Sequence, residues 1–100
     1  MLAMNYRGPY RIRASQMPDP TIEHPNDAIV QVTRSCICGS DLHLYHGLVP
    51  DTRVGTVFGH EFVGTVVEIG PSVQNLKIGD RVLVPFNVFC GTCYWCQREL

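Results

Sequence analysis

Glycine and proline recur along the whole chain and leave little room for long helices. The 100 residues include nine Gly and seven Pro, and both residue types interrupt regular secondary structure. No segment keeps apolar residues at helical spacing over three turns. Short elements are the consequence, so the sequence predicts a mostly β, barrel-like domain with irregular loops.

Short strands and one short helix are predicted between these interruptions. Residues 28–33 are rich in β-branched side chains and follow a Pro-Asn-Asp turn, which is typical of a strand. Further strands are predicted at residues 10–17, 62–69 and 81–84, each bounded by Gly or Pro. A helix is predicted at residues 40–45, with Ser40 or Asp41 as its N-cap and Gly47 just after its end.

Composition and charge exclude several classes of partner. At 45% hydrophobic and 17% charged residues, the chain has the composition of one globular domain and the length to bury one core. The net charge is −1 and the Lys and Arg residues are scattered, so no basic face favours nucleic acid or anionic lipid. No apolar run is long enough for a membrane span, and residues 1–10 lack the apolar stretch of a signal peptide. The cytoplasm is the predicted compartment, where five Cys indicate metal ligands or reactive thiols before disulfides.

The strongest chemical signal is the cysteine triplet Cys90, Cys93 and Cys96. Two residues separate each pair, so three thiolates can point at one Zn²⁺ ion, and Gly91 permits the tight turn. A redox-active Cys-x-x-Cys pair is the alternative, although nothing nearby resembles a thioredoxin-like unit. Zinc takes four ligands, but no thiol follows the triplet and Glu99 would make an unusual site. The metal site is therefore expected to be incomplete within this chain.

A second group of reactive side chains lies in residues 36–43, after a predicted strand. The segment offers thiols, a hydroxyl, a carboxylate and an imidazole. Ser40 can pass a proton there, and His43 can take it onward to water. A surface histidine in a short helix is the open alternative for His43. For Cys36 we favour a buried small hydrophobic residue over a functional thiol.

A third group is His60 and Glu61, which enter a predicted strand. Adjacent strand residues point to opposite faces, so the two side chains are not both expected to be first-choice ligands of one ion. Taken alone, His60 is expected to be a hydrogen-bonded core residue. Together with Cys38 it would form half of an open zinc site, which needs three protein ligands and one free position.

These motifs in this order resemble the amino-terminal half of the medium-chain, zinc-dependent alcohol dehydrogenases. The resemblance covers about residues 10–100, and residues 84–88 are similar to the branch that contains glutathione-independent formaldehyde dehydrogenase. It implies a GroES-like, partly open β-barrel with short helices. The matching motifs are Cys38-Gly39-Ser40-Asp41-x-His43, Gly59-His60-Glu61-x-x-Gly64, Gly79-Asp80-Arg81-Val82 and Cys90-x-x-Cys93-x-x-Cys96.

The resemblance also implies a role for each matched side chain around a catalytic zinc. Cys38 and His60 would be ligands of that ion, and Asp41 would hydrogen-bond His60 and fix its tautomer. Glu61 would be a nearby carboxylate that enters the coordination sphere transiently. A second, structural zinc would take three of its four ligands from the triplet Cys90, Cys93 and Cys96.

The implied function is a zinc-dependent oxidoreductase that transfers a hydride between an alcohol or aldehyde hydrate and NAD or NADP. Ser40 would accept the proton of the alcohol, and His43 would be the next member of the relay. The family commonly forms dimers or tetramers, so a homo-oligomer is expected. A non-catalytic zinc-binding β-barrel module is the alternative function.

Parts that this family needs are not found in the sequence. The cofactor-binding string Gly-x-Gly-x-x-Gly does not occur, and neither a fourth structural cysteine nor a third catalytic ligand is identified. Residues 1–100 are therefore interpreted as an incomplete GroES-like catalytic domain, the amino-terminal part of a longer enzyme. No cofactor-binding residue is predicted here, and the chain alone is not expected to transfer hydride.

Overall fold

The protein folds into two open antiparallel sheets with short helical segments, as described by a computed structural model over residues 1–98. The first two strands form one sheet as a hairpin, and the last three form the other sheet with the fourth strand in its centre. No helix in the described residues has the length and apolar character to cross a bilayer. The elements are β1 (Leu2–Gly8), β2 (Arg11–Gln16), β3 (Ala28–Ser35), α1 (Gly39–Tyr45), β4 (Phe62–Ile69), β5 (Arg81–Val84) and a 3-10 helix (Cys96–Arg98).

The prediction of a mostly β domain with short helices is confirmed, but strand β1 was not predicted. Asn5 interrupts the apolar pattern of this strand, yet its side chain is buried, with 1% of its surface exposed. Its amide nitrogen donates to the carbonyl of Arg13 at 2.8 Å and to Ser15 Oγ at 2.7 Å. A polar residue therefore faces inward because the facing strand β2 supplies its hydrogen bonds.

Strand pairing brings the predicted site segments together. At the end of the β3–β4 ladder, Ser35 lies opposite Phe62, and the Cys36 N–H donates to the Glu61 carbonyl at 3.4 Å. Residues 36–38 therefore leave β3 beside the residues that enter β4. The loop before His60 is held by β1, since the Phe58 N–H donates to the Met4 carbonyl at 2.9 Å. The unpredicted strand thus fixes one side of the site.

The apolar core of the described residues is small. Among residues 1–98, Tyr6 and Val66 are the only large apolar side chains that are buried, whereas others such as Phe89 and Trp95 are more than half exposed. The expectation that a chain of this length buries one core is thus met only in part. The physical reason is that two open sheets leave most of their faces uncovered.

Gly64 is the residue of β4 at which the sheet tolerates no side chain. A Cβ there would clash with the Gln31 carbonyl oxygen and lie 2.5 Å from Val30 Cγ1, both on the neighbouring strand β3. We expect Gly64→Ala to lower the free energy of unfolding by about 1–3 kcal/mol, because the paired strand must shift to make room. Gly39→Ala is the matched control, since a Cβ there meets nothing within 4 Å. Urea unfolding of both variants measures the difference, and equal stability would contradict the steric argument.

Candidate metal centres

The loop after β3 ends in a helix cap that fixes two of the predicted site residues. Cys38 is the N-cap of α1, so the prediction of Ser40 or Asp41 in that position is wrong. The Cys38 sulfur accepts from the Ser40 N–H at 3.3 Å, and Asp41 Oδ2 accepts from the Cys38 N–H at 2.9 Å. A thiol is not a typical N-cap, which is why the sequence favoured the neighbouring hydroxyl and carboxylate. This reciprocal cap holds the sulfur and the carboxylate beside each other.

His60 completes a converging group of three side chains. Its Nε2 lies 3.0 Å from Cys38 Sγ, and its Nδ1 lies 3.4 Å from Asp41 Oδ1. One ligand atom from each of the three residues lies within 4.8 Å of the others. The predicted pairing of Cys38 with His60 is thus present, although 22 residues separate them in sequence.

The donor set of this group fits a zinc ion. A tetrahedral Zn²⁺ holds a sulfur and a nitrogen ligand roughly 3.6 Å apart, so the Cys38 and His60 donor atoms, now hydrogen-bonded at 3.0 Å, would move apart by only about 0.6 Å to bind it. Asp41 is 8% exposed, and its Oδ1 accepts no hydrogen bond among the described residues. A His60 Nδ1–H turned toward that oxygen would satisfy it and leave Nε2 free to bind metal.

The electrostatics of the pair favour the metal-binding form of the sulfur. Hydrogen bonds from the Ser40 side chain, and then from its backbone N–H, lower the pKa of the Cys38 thiol. The hydrogen bond with Cys38 is the largest cause that raises the pKa of His60. The thiolate is the form of cysteine that binds metals. An incoming ion can therefore displace the proton of the Cys38 thiol readily.

Glu61 is held by a contact that the sequence did not reveal. Cys36, expected to be buried, is exposed, and its sulfur lies 3.4 Å from Glu61 Oε2. This hydrogen bond is the largest cause that raises the pKa of the Cys36 thiol. The Glu61 carboxylate is not part of the group formed by Cys38, Asp41 and His60. The role of Glu61 as a carboxylate near the metal therefore stays a prediction.

Ser40 and His43 lie on α1, three residues apart and therefore on neighbouring positions of one helix face. Both side chains are exposed. No hydrogen bond between them occurs among residues 1–98. The relay through these two residues stays a prediction, with Ser40 in contact with the Cys38 sulfur through its backbone N–H.

The cysteine triplet also converges. Cys93 Sγ lies 3.5 Å from Cys96 Sγ, and Cys90 Sγ lies 4.0 Å from it. Three sulfurs around a tetrahedral Zn²⁺ are roughly 3.8 Å apart, so the spacing fits the ion. Gly91, at a φ of +74°, makes the predicted turn, and the Cys93 N–H donates to Cys90 Sγ at 3.3 Å.

The chemistry of the triplet favours metal binding as well. Hydrogen bonds to Cys90, led by the backbone N–H of Thr92, lower the pKa of its thiol to about 6. The hydrogen bond with Cys93 raises the pKa of Cys96, so bound metal must displace that proton. No fourth ligand joins the cluster within the described part of the chain. Glu99, considered above as a ligand, lies outside those residues.

Asp41 offers a test of how the Cys38 site is supported. We expect Asp41→Asn to weaken zinc binding there about 10–100-fold, because the amide no longer draws the His60 ring proton as a carboxylate does. Competition with a chromogenic chelator measures the affinity. Asp51→Asn is the matched control, as this exposed residue lies in a turn away from the group. Unchanged zinc affinity in the Asp41 variant would show that the carboxylate serves only as the helix cap.

Fold and site together define a GroES-like domain of the zinc-dependent dehydrogenase type, and comparison with known proteins agrees. The sequence profile of the alcohol dehydrogenase GroES-like domain matches residues 24–100. The chain therefore belongs to this family, as the motifs predicted.

Relatives and solved structures similar to the chain include alcohol and formaldehyde dehydrogenases. A zinc-type alcohol dehydrogenase-like protein of Bacillus subtilis is 47% identical over 100 residues, which cover all of this chain and 26% of that protein. A glutathione-independent formaldehyde dehydrogenase of Pseudomonas aeruginosa is 41% identical and matches 94% of this chain and 25% of its own length. The structure of an alcohol dehydrogenase from Thermus sp. ATN1 matches 99% of this chain and 28% of its own, with 45% identity and a TM-score of 0.90. The chain thus spans about a quarter of the length of these relatives.

Proposed function

We propose that the protein is a zinc-dependent oxidoreductase that transfers a hydride between an alcohol or aldehyde hydrate and NAD or NADP. The observation that carries the proposal is the convergence of Cys38, Asp41 and His60 within 4.8 Å at the ends of paired strands. A domain with only a structural role has no need of this second donor group beside the cysteine triplet. Membership of the alcohol dehydrogenase family supports the same conclusion.

The chain's own residues would divide the work at the catalytic ion as follows. Cys38 and His60 hold it, and Asp41 fixes the tautomer of His60 through the nitrogen at 3.4 Å. Bound zinc would supply Lewis-acid polarisation of the substrate oxygen. Ser40 would accept the proton of the alcohol at its hydroxyl, and His43 would carry it to water, because its exposed ring can both accept and donate a proton.

The cysteine triplet has a structural task in this proposal. Cys90, Cys93 and Cys96 would hold a second zinc that organises an exposed loop with little apolar packing of its own. Such an ion has all its positions taken by protein ligands and does no chemistry. Its fourth ligand would come from outside the described residues.

Cofactor binding and assembly belong to the whole enzyme. We propose that residues 1–100 are the incomplete catalytic domain, and that NAD or NADP is bound by a Rossmann domain outside them. The substrate is a small alcohol or aldehyde, and neither nucleic acid nor membrane is a partner. We further propose a cytoplasmic homo-oligomer, a dimer or a tetramer.

The test is metal content and turnover of the full-length protein. We expect two zinc ions per chain by elemental analysis, and reduction of NAD⁺ or NADP⁺ with at least one member of a panel of alcohols and hydrated aldehydes. Chelation should remove turnover and zinc together. Two bound zinc ions with no nicotinamide reduction across the panel would instead support the non-catalytic zinc-binding module.

A further inference from the structure

The contact between Cys36 and Glu61 has no part in the proposed mechanism. Cys36 Sγ lies 3.4 Å from Glu61 Oε2 and 3.8 Å from the Glu61 carbonyl oxygen, to which the Cys36 N–H also donates. Both the backbone and the side chain of Cys36 therefore contact Glu61. The carboxylate can only accept, so the thiol is the donor of the side-chain bond.

We propose that Cys36 is a positioning residue whose thiol holds the Glu61 carboxylate away from the metal bound by Cys38 and His60. The inference rests on the proposed function, because it needs a metal in that place. It concerns how many protein ligands this metal has.

The neighbouring cavities show which way the carboxylate is held. Asp41 lines a cavity of about 670 Å³ between the hairpin and α1, and Glu61 lines a separate one of about 380 Å³ beside β5. Cys36 lines both cavities and so stands between them. The hydrogen bond therefore holds the Glu61 carboxylate at the cavity beside β5, and Glu61 does not line the cavity of Asp41.

The restraint matters because Glu61 directly follows a proposed ligand. Carboxylate oxygens bind zinc readily, and a catalytic site must keep one position free of protein ligands. Glu61 and His60 are adjacent in sequence, so loss of the thiol contact would free the carboxylate to turn toward the metal. A thiol is a weak donor, so it restrains the carboxylate without locking it.

The experiment compares Cys36→Ala with Cys36→Ser in the full-length zinc protein. We expect Cys36→Ala to slow zinc release to a chelator about tenfold, since Glu61 becomes an added ligand; the change is of the size that residues around a metal site cause. The cobalt-substituted protein has visible bands that should disappear in His60→Ala. In Cys36→Ala these bands should change in the way that a higher coordination number of the cobalt ion produces. Cys36→Ser keeps a donor and should retain the parent's release rate and spectrum.

The Glu61→Gln background separates positioning from a general structural effect. There, adding Cys36→Ala should change neither zinc release nor the cobalt spectrum. An effect that persists in this background, or no effect of Cys36→Ala in the parent, would overturn the positioning role. Failure of the proposed function looks different: His60→Ala would then leave the metal content and the cobalt spectrum unchanged.

Discussion

Cys38→Ala or His60→Ala is expected to abolish turnover in the full-length enzyme, with a loss of at least about 10³-fold in kcat. Each variant removes one of two protein donors that lie 3.0 Å apart and converge with Asp41. A catalytic zinc needs three protein ligands, so the donors left in the full-length enzyme are too few to retain the ion. We therefore expect elemental analysis to find one zinc fewer per chain, in parallel with the lost activity.

The control for this prediction is a histidine outside the group. His24→Ala changes an exposed residue in a turn, where its ring accepts from the Asn26 N–H at 3.1 Å. It should keep both zinc ions and the parent kcat. Turnover by Cys38→Ala with its full zinc content would show that the catalytic metal, if present, is held elsewhere.

The sequence predicted the central part of the fold because that part depends on local patterns. Strands β4 and β5 occupy residues 62–69 and 81–84, as predicted from β-branched runs ended by Gly and Pro. Strand β1 was missed because one of its buried residues is Asn5, whose burial depends on acceptors in β2, the other strand of the hairpin. Periodicity alone cannot show a buried polar residue that is satisfied by a partner strand.

In the candidate site too, features set by local sequence could be predicted, and features set by strand pairing could not be predicted from local sequence. The spacing of the triplet is local, so the convergence of its sulfurs could be predicted from residues 90–96 alone. The approach of Cys38 to His60 needs the β3–β4 register, so their donor chemistry suggested the pair and the resemblance to a family assigned it. The bond from Cys36 to Glu61 depends on the same register and on a side-chain rotamer, so neither spacing nor resemblance revealed it.

Cys93→Ser is expected to affect stability far more than chemistry. The residue lies between its two neighbouring ligands in an exposed loop, where Cys93 Sγ is 3.5 Å from Cys96 Sγ. Serine is a poor zinc ligand, and structural zinc binding is folding free energy, so the loop loses what organises it. We expect one zinc fewer per chain and a fall of at least about 10 °C in Tm, measured by calorimetry.

The activity of the molecules that remain folded separates the two metal centres. Turnover per zinc-loaded catalytic site in Cys93→Ser should stay within about twofold of the parent at a temperature well below its Tm. Gln97→Ser changes an exposed neighbour in the same loop and should alter neither zinc content nor Tm. A Cys93→Ser protein that melts like the parent but turns over poorly would reverse the assignment, because the triplet would then hold the catalytic ion. The outcome decides between the centres, since one ion is proposed to stabilise the fold and the other to act on substrate.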